Sequence, residues 1–199
     1  MKQQKGFTFA ELITAIVILG ILVALAAPGF RETIRNNRLT SSANLFLSAL
    51  NLARSEAVKF NRRVVVCKSS DGASCTNIGV YEQGWLVFVD CDDDTAFDSP
   101  GATASPPQAC AESGGSDIPL RTQDALPGEA TLVSDDTGKA LDVYVSYLGD
   151  GRARNGNGLL QNGCLELVDG VDSDDPRGRK ILINTIGRVR IEEGTSCAG

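Results

Sequence analysis

From Phe7 to Ala27 the chain runs for 21 residues with one charge, Glu11, and no proline. As a helix rising about 1.5 Å per residue, that run is long enough to cross a hydrocarbon layer roughly 30 Å thick. Pro28 removes one backbone donor and predicts a kink or local loosening. Helical spacing then resumes. Leu39, Ala43, Phe46, Leu50, Ala53 and Ala57 share one stripe, while Arg35, Arg38, Ser42, Asn51 and Lys59 fall off it. This second half is amphipathic and needs something to pack on. Asn61 and the basic pair Arg62 and Arg63 close it.

Beyond Arg63 the pattern changes to short β-type runs punctuated by Gly, Pro, Asp and Ser. Val64–Val66 leads to Cys67, and Ser69–Gly72 turns. Trp85–Val89 is a strong strand, with Trp85 read as core. Leu141, Val143, Val145 and Tyr147 alternate with Asp142, Tyr144 and Ser146, the period-two signature of a half-buried strand. Cys164–Val168, Ile181–Asn184 and Val189–Ile191 complete an antiparallel set. The loop from Asp90 to Asp117 is long, acidic and proline-bearing.

Composition narrows the class. Apolar residues make up 42 % of the chain, a globular composition. Beyond the apolar run remain about 170 residues, one domain by the usual prior. Six cysteines, Cys67, Cys75, Cys91, Cys110, Cys164 and Cys197, all follow the run, as suits an oxidising compartment such as the periplasm. None has CxxC spacing and there is no histidine, so zinc and histidine-based catalysis have no support. Sequence alone does not choose the pairing. Proximity and the need to staple the tail favour Cys67 with Cys75, Cys91 with Cys110 and Cys164 with Cys197.

Glu11 is the anomaly, because an ionised carboxylate inside lipid costs about 3 kcal/mol or more and needs a partner. Ahead of it stand Lys2 and Lys5, a weak positive-inside signal. The stretch Gly6-Phe7-Thr8-Phe9-Ala10-Glu11-Leu12, followed by an Ile, Leu, Val and Ala run, resembles the class III leader of type IV pilins and pseudopilins. The resemblance implies a membrane peptidase that cuts after Gly6 and methylates Phe7. It also implies that Glu11 guides docking into a growing filament. Phe9 departs from the small aliphatic residue usual at that place.

Further segments resemble the GspH/FimT branch of minor pilins and pseudopilins: Asn37-Arg38-Leu39, Leu50 to Ala57, Gly84 to Asp90, and Gly187-Arg188-Val189-Arg190. The branch implies an α+β type IV pilin fold, one long N-terminal helix packed on an antiparallel β-sheet domain. The expected divisions are a leader at 1–6, a transmembrane and filament-core helix half at 7–27, an amphipathic half at 28–62 and a periplasmic β domain at 63–199. A low-copy pilus subunit is implied, anchored once in the bacterial inner membrane and later part of the filament, with prepilin peptidase, other minor pilins and the major pilin as partners. A minor pseudopilin of a type II secretion system is the alternative.

In some FimT-like proteins the Gly-Arg-x-Arg pattern binds DNA, which would make Gly187, Arg188 and Arg190 a double-stranded DNA site. Arginine forks suit phosphate. Arg152 and Arg154 repeat the pattern beside a turn, and Arg177, Arg179 and Lys180 would extend a patch if the fold gathers them. The competing reading is a hairpin turn with solvated arginines, or arginines paired to Glu192, Glu193 or nearby aspartates. Charge weighs against DNA, since residues 68–199 hold 10 Lys and Arg against 22 Asp and Glu. Asp90, Asp92, Asp94 and Asp98 resemble calcium-loop spacing, but Thr95 stands where an EF-hand needs glycine and no Glu follows at the twelfth place, so a solvated acidic loop is the better reading. No cofactor is expected. No nucleophile motif such as Gly-x-Ser-x-Gly is present, and an enzyme is not expected.

Overall fold

A computed structural model describes residues 8–98, 110, 116–128, 130–134, 140–170, 177–194 and 197, leaving out the side chains at 26–28, 31 and 140. Gly6, Phe7 and the acidic run 172–175 lie outside the described residues. Helix α1 spans Phe9–Phe60 without a break in its assignment. The chain divides between Asn37 and Arg38 into two compact units.

In the first unit, the helix shows large apolar side chains on all sides, from Phe9, 78 % exposed, to Leu25, 74 % exposed. Among the described residues no helix is long and apolar enough to cross a membrane.

In the second unit, the stripe Leu39, Ala43, Phe46, Leu50, Ala53 and Ala57 is buried, joined by Ala49 and Ser42. Ser42, read from sequence as polar-side, belongs to the buried face because it lies one turn from Leu39 and Phe46 on a stripe wider than a strict seam. Asn61 takes a left-handed φ of +51°, and the Arg62 N–H donates to Ala57 O at 3.2 Å. This satisfies an orphan carbonyl of the last turn and stops the helix.

Among the described residues eight strands follow: β1 Arg63–Lys68, β2 Gly84–Asp90, β3 Ile118–Asp124, β4 Ala130–Ser134, β5 Tyr144–Tyr147, β6 Gly163–Asp169, β7 Arg179–Ile183 and β8 Val189–Glu193. A short helix, α2, Ala140–Val143, precedes β5. They form two four-stranded antiparallel sheets, ordered β3-β2-β1-β5 and β4-β6-β7-β8. The inner faces of both sheets and the helix stripe share one core. Phe46 sits at its centre, edge-on to Tyr81 and Trp85 at centroid distances of 5.0 and 5.1 Å.

The outer face of the first sheet is buried as well. Val65, Cys67, Leu86 and Phe88 pack with Cys75, Phe97 and Tyr144. The Cys67–Cys75 loop and the turn after β2 cover them, with the Phe97 ring 5.0 Å from that of Phe88. This explains why Trp85–Val89 reads as a continuous apolar run. The other bridges join Cys91 to Cys110 and Cys164 to Cys197.

Three sequence readings change. Leu141–Val143 is helical and only Tyr144–Tyr147 is strand. Ser146 is fully buried, its N–H donating to Gln161 Oε1 at 2.9 Å, so β5 does not alternate. Finally, β3 and β4 are strands that the periodicity did not announce. Pro119 sits opposite Phe88 where the register slips, at the sheet edge that tolerates a missing donor.

Candidate functional site

At the head of α1, Thr8 and Glu11 bond reciprocally. The Thr8 N–H and Oγ1–H donate to Glu11 Oε2 at 2.9 and 3.0 Å, and the Glu11 N–H donates to Thr8 Oγ1 at 3.3 Å. This is a capping box, in which the helix's first orphan donors and the lone carboxylate satisfy one another. The partner of Glu11 in this structure is therefore three residues away on the same chain.

The Gly-Arg-x-Arg motif forms the turn between β7 and β8. The Gly187 N–H donates to Asn184 O at 2.8 Å, and the Arg188 N–H donates to Asn184 Oδ1 at 2.8 Å. Arg188 precedes the strand, and Arg190 lies within it opposite Leu182. Both side chains are exposed and border a cleft of about 550 Å³ together with Leu182, Ile183, Asn184 and Val189. They differ electrostatically. Arg190 Nε is 3.1 Å from Glu192 Oε1, whereas the Arg188 guanidinium has no partner among the described residues.

Gly187 is held by the fold. Its φ is +75°, and a Cβ there would lie 2.3 Å from Gly151 O, 3.1 Å from Ala153 N and 3.1 Å from Tyr147 Cε1. Arg54 ties the two turns together, Nε donating to Gly151 O at 2.9 Å and Nη2 to Ile186 O at 3.1 Å. Sequence reading gave Arg54 only a place in the Leu50–Ala57 segment. Its one signal is a charge beside the buried stripe, since its contacts lie 97 and 132 residues away.

The other basic residues separate. Arg152 is exposed beside Gly151, while Arg154 donates to Gly158 O at 2.9 Å and stands 3.6 Å from Asp150. Arg179 is buried, reaching Thr40 Oγ1 at 3.3 Å and Glu193 at 3.9 Å. Arg177, Arg179 and Lys180 lie at the opposite end of the β7–β8 hairpin from Arg188. They do not extend its patch, because a strand separates the two ends.

In the loop after β2, carboxylate oxygens of Asp90, Asp92 and Asp94 lie within 4.8 Å of one another, and Asp98 is not among them. Asp90 is buried and already occupied, accepting the Asp93 and Thr95 N–H groups at 2.7 and 3.0 Å with Arg63 Nε at 3.5 Å. Thr95, in place of glycine, takes a left-handed φ of +67°. Asp117, which sequence reading passed over as a loop end, is fully buried and accepts the Cys91 and Asp98 N–H groups, both at 2.9 Å.

Burial, reinforced by Asp117, pushes the Asp90 carboxyl from 3.8 up to about 7. Burial, reinforced by Asp92 and Asp94, pushes Asp117 up to about 6. Both hold protons more tightly folded than unfolded, so their contribution to stability is complete below pH of about 3.8 and is lost as pH rises through about 6 to 7. The chain in detergent is expected to melt higher at about pH 5 than at about pH 8, with Asp90→Asn reducing the difference. A wild-type midpoint that rises between those values overturns this.

A helix laid across two antiparallel sheets, continuing an apolar helix capped through a lone glutamate, defines a pilin-type subunit. A family model described as type II transport protein GspH matches residues 42–187, and a prokaryotic N-terminal methylation motif matches residues 1–27. The chain belongs to the GspH family, and is a minor type IV pilin or pseudopilin. It is 35 % identical over 65 residues to a fimbrial protein of Pseudomonas aeruginosa, covering 33 % of this chain and 42 % of that one. It is 32 % identical over 80 residues to the type IV major alpha-pilin of Moraxella bovis, covering 40 % and 49 %. The chain thus spans under half the length of these relatives. The type IV minor pilin FimU of Pseudomonas aeruginosa shares its fold, with a TM-score of 0.51 and 18 % identity over 81 % of this chain and 96 % of that one.

Proposed function

We propose that the chain is a low-copy subunit of a type IV pilus, cut after Gly6 and methylated on Phe7 by prepilin peptidase. It is held in the inner membrane by its apolar helix and then added near the filament tip, where its periplasmic β domain meets other minor pilins and primes assembly above the major pilin. The carrying observation is the capped glutamate at the head of a helix exposing apolar side chains all round, which needs lipid or other helices to cover it. The fimbrial and major-pilin likenesses support the pilus reading, while the type II transport description of the matching family model supports the secretion alternative.

Produced with its peptidase, the chain is expected to lose residues 1–6 and gain one methyl group in the intact mass. In a strain lacking the gene, Glu11→Ala is expected to restore far fewer pili than the native chain. An unprocessed mass sinks the precursor reading. Normal piliation in the deletion strain, with blocked export of a secreted protein, replaces the pilus with the secretion alternative.

A second reading rests on the exposed Arg188 and Arg190 flanking one cleft: a site for double-stranded DNA. A gel-shift salt series comparing the native chain with Arg188→Gln plus Arg190→Gln tests it.

A further inference from the structure

We propose that Arg152 and Arg188 together grip one phosphate of a nucleic-acid backbone, with Arg54 as the positioning residue behind them. This rests on the DNA reading above, and changes which arginines carry it. Arg152 lies between Gly151 and Ala153, two of the three residues that a Cβ on Gly187 would meet, and Arg188 follows Gly187. The two arginines therefore leave the surface from adjoining backbones, although 36 residues separate them in sequence.

Most basic side chains of the β domain are compensated, and these two are not. Arg38, Arg63, Lys68, Arg154, Arg179 and Arg190 each stand within 4.0 Å of a carboxylate. The guanidinium groups of Arg152 and Arg188 are exposed and have no hydrogen bond or ion pair among the described residues. In a region with 10 basic against 22 acidic residues, two unpaired cations on touching turns form a local positive point. Asp150, two residues before Arg152, is engaged, accepting the Arg152 N–H at 2.9 Å and lying 3.6 Å from Arg154 Nη2. Two guanidinium forks can meet the oxygens of one phosphate, and repeated phosphates make a nucleic acid the matching polyanion. Arg190 contributes less, because an anion must displace Glu192 to reach it.

Arg54 sets the spacing. Its single guanidinium spans Gly151 O and Ile186 O, one carbonyl from each turn. A lysine keeps the charge but offers a point donor in place of the fork.

The test uses the full chain in detergent with a short DNA duplex, binding being measured across a salt series. Arg152→Gln and Arg188→Gln are each expected to weaken binding several-fold and to flatten the salt slope by about one unit. Arg190→Gln should change the slope less, and Arg54→Lys should lower affinity with the slope preserved. If Arg188→Gln weakens binding while Arg152→Gln leaves affinity and slope unchanged, the pairing is wrong and the DNA reading stands. A slope altered by Arg54→Lys removes its positioning role. If the native chain does not bind at low salt, both readings fall together.

Discussion

Phe46→Ala is expected to destabilise the chain by about 3–5 kcal/mol and to lower its melting temperature by about 6–20 °C. Phe46 is fully buried where the helix stripe meets both sheets, and its ring is edge-on to Tyr81 and Trp85. Truncation removes the transfer free energy of the ring, the two aromatic contacts and the packing of the space it filled. Tyr81 and Trp85 cannot close in, because each is held by the backbone of its own short helix or strand. Phe46→Leu keeps most of the volume and should recover much of the loss. Thermal unfolding followed by circular dichroism decides this, and an alanine variant melting within about 2 °C of the native chain would remove Phe46 from the centre of the core.

Gly187→Ala comes second, and bears on what the Gly-Arg-x-Arg motif is for. The left-handed backbone alone costs about 1–3 kcal/mol for a residue with a side chain. The new methyl would also meet Gly151 O at 2.3 Å, a backbone atom already held by Arg54. One of the two turns must move. Gly158 separates the two costs, since its φ is +77° but a Cβ there meets nothing within 4 Å. Gly158→Ala should therefore lose only the backbone part, and Gly187→Ala clearly more. Equal losses would mean that the contact between the turns contributes nothing. The glycine of the motif is thus a packing residue, whatever the arginines beside it bind.

Much of the architecture is legible in one dimension. Apolar residues at helical spacing from Leu39 to Ala57 mark the face that packs on the sheets, because neighbours three and four apart share one side of a helix. The apolar run of β2 is equally plain. Less legible is β3, whose proline and polar residues suit an edge and imitate a loop, and Leu141–Val143, whose alternation imitates a strand. The basic residues show the limit more sharply. Arg188 and Arg190 look equivalent as a motif, yet Glu192 compensates only one of them. Arg179 looks like a surface charge and is buried against Thr40.

What the sequence determined by itself is local: the leader motif, the lone glutamate three residues from its capping threonine, the helix stripe and the left-handed stop at Asn61. These depend on residues within a turn or two of one another, so spacing carries the physics. Tertiary structure alone decided which arginine is neutralised, which aspartates are buried and occupied, and that Arg54 joins turns 97 and 132 residues away. Those outcomes depend on distances across sheets and between loops, and an electrostatic or hydrogen-bonded contact exists only once the whole core has brought its two ends together.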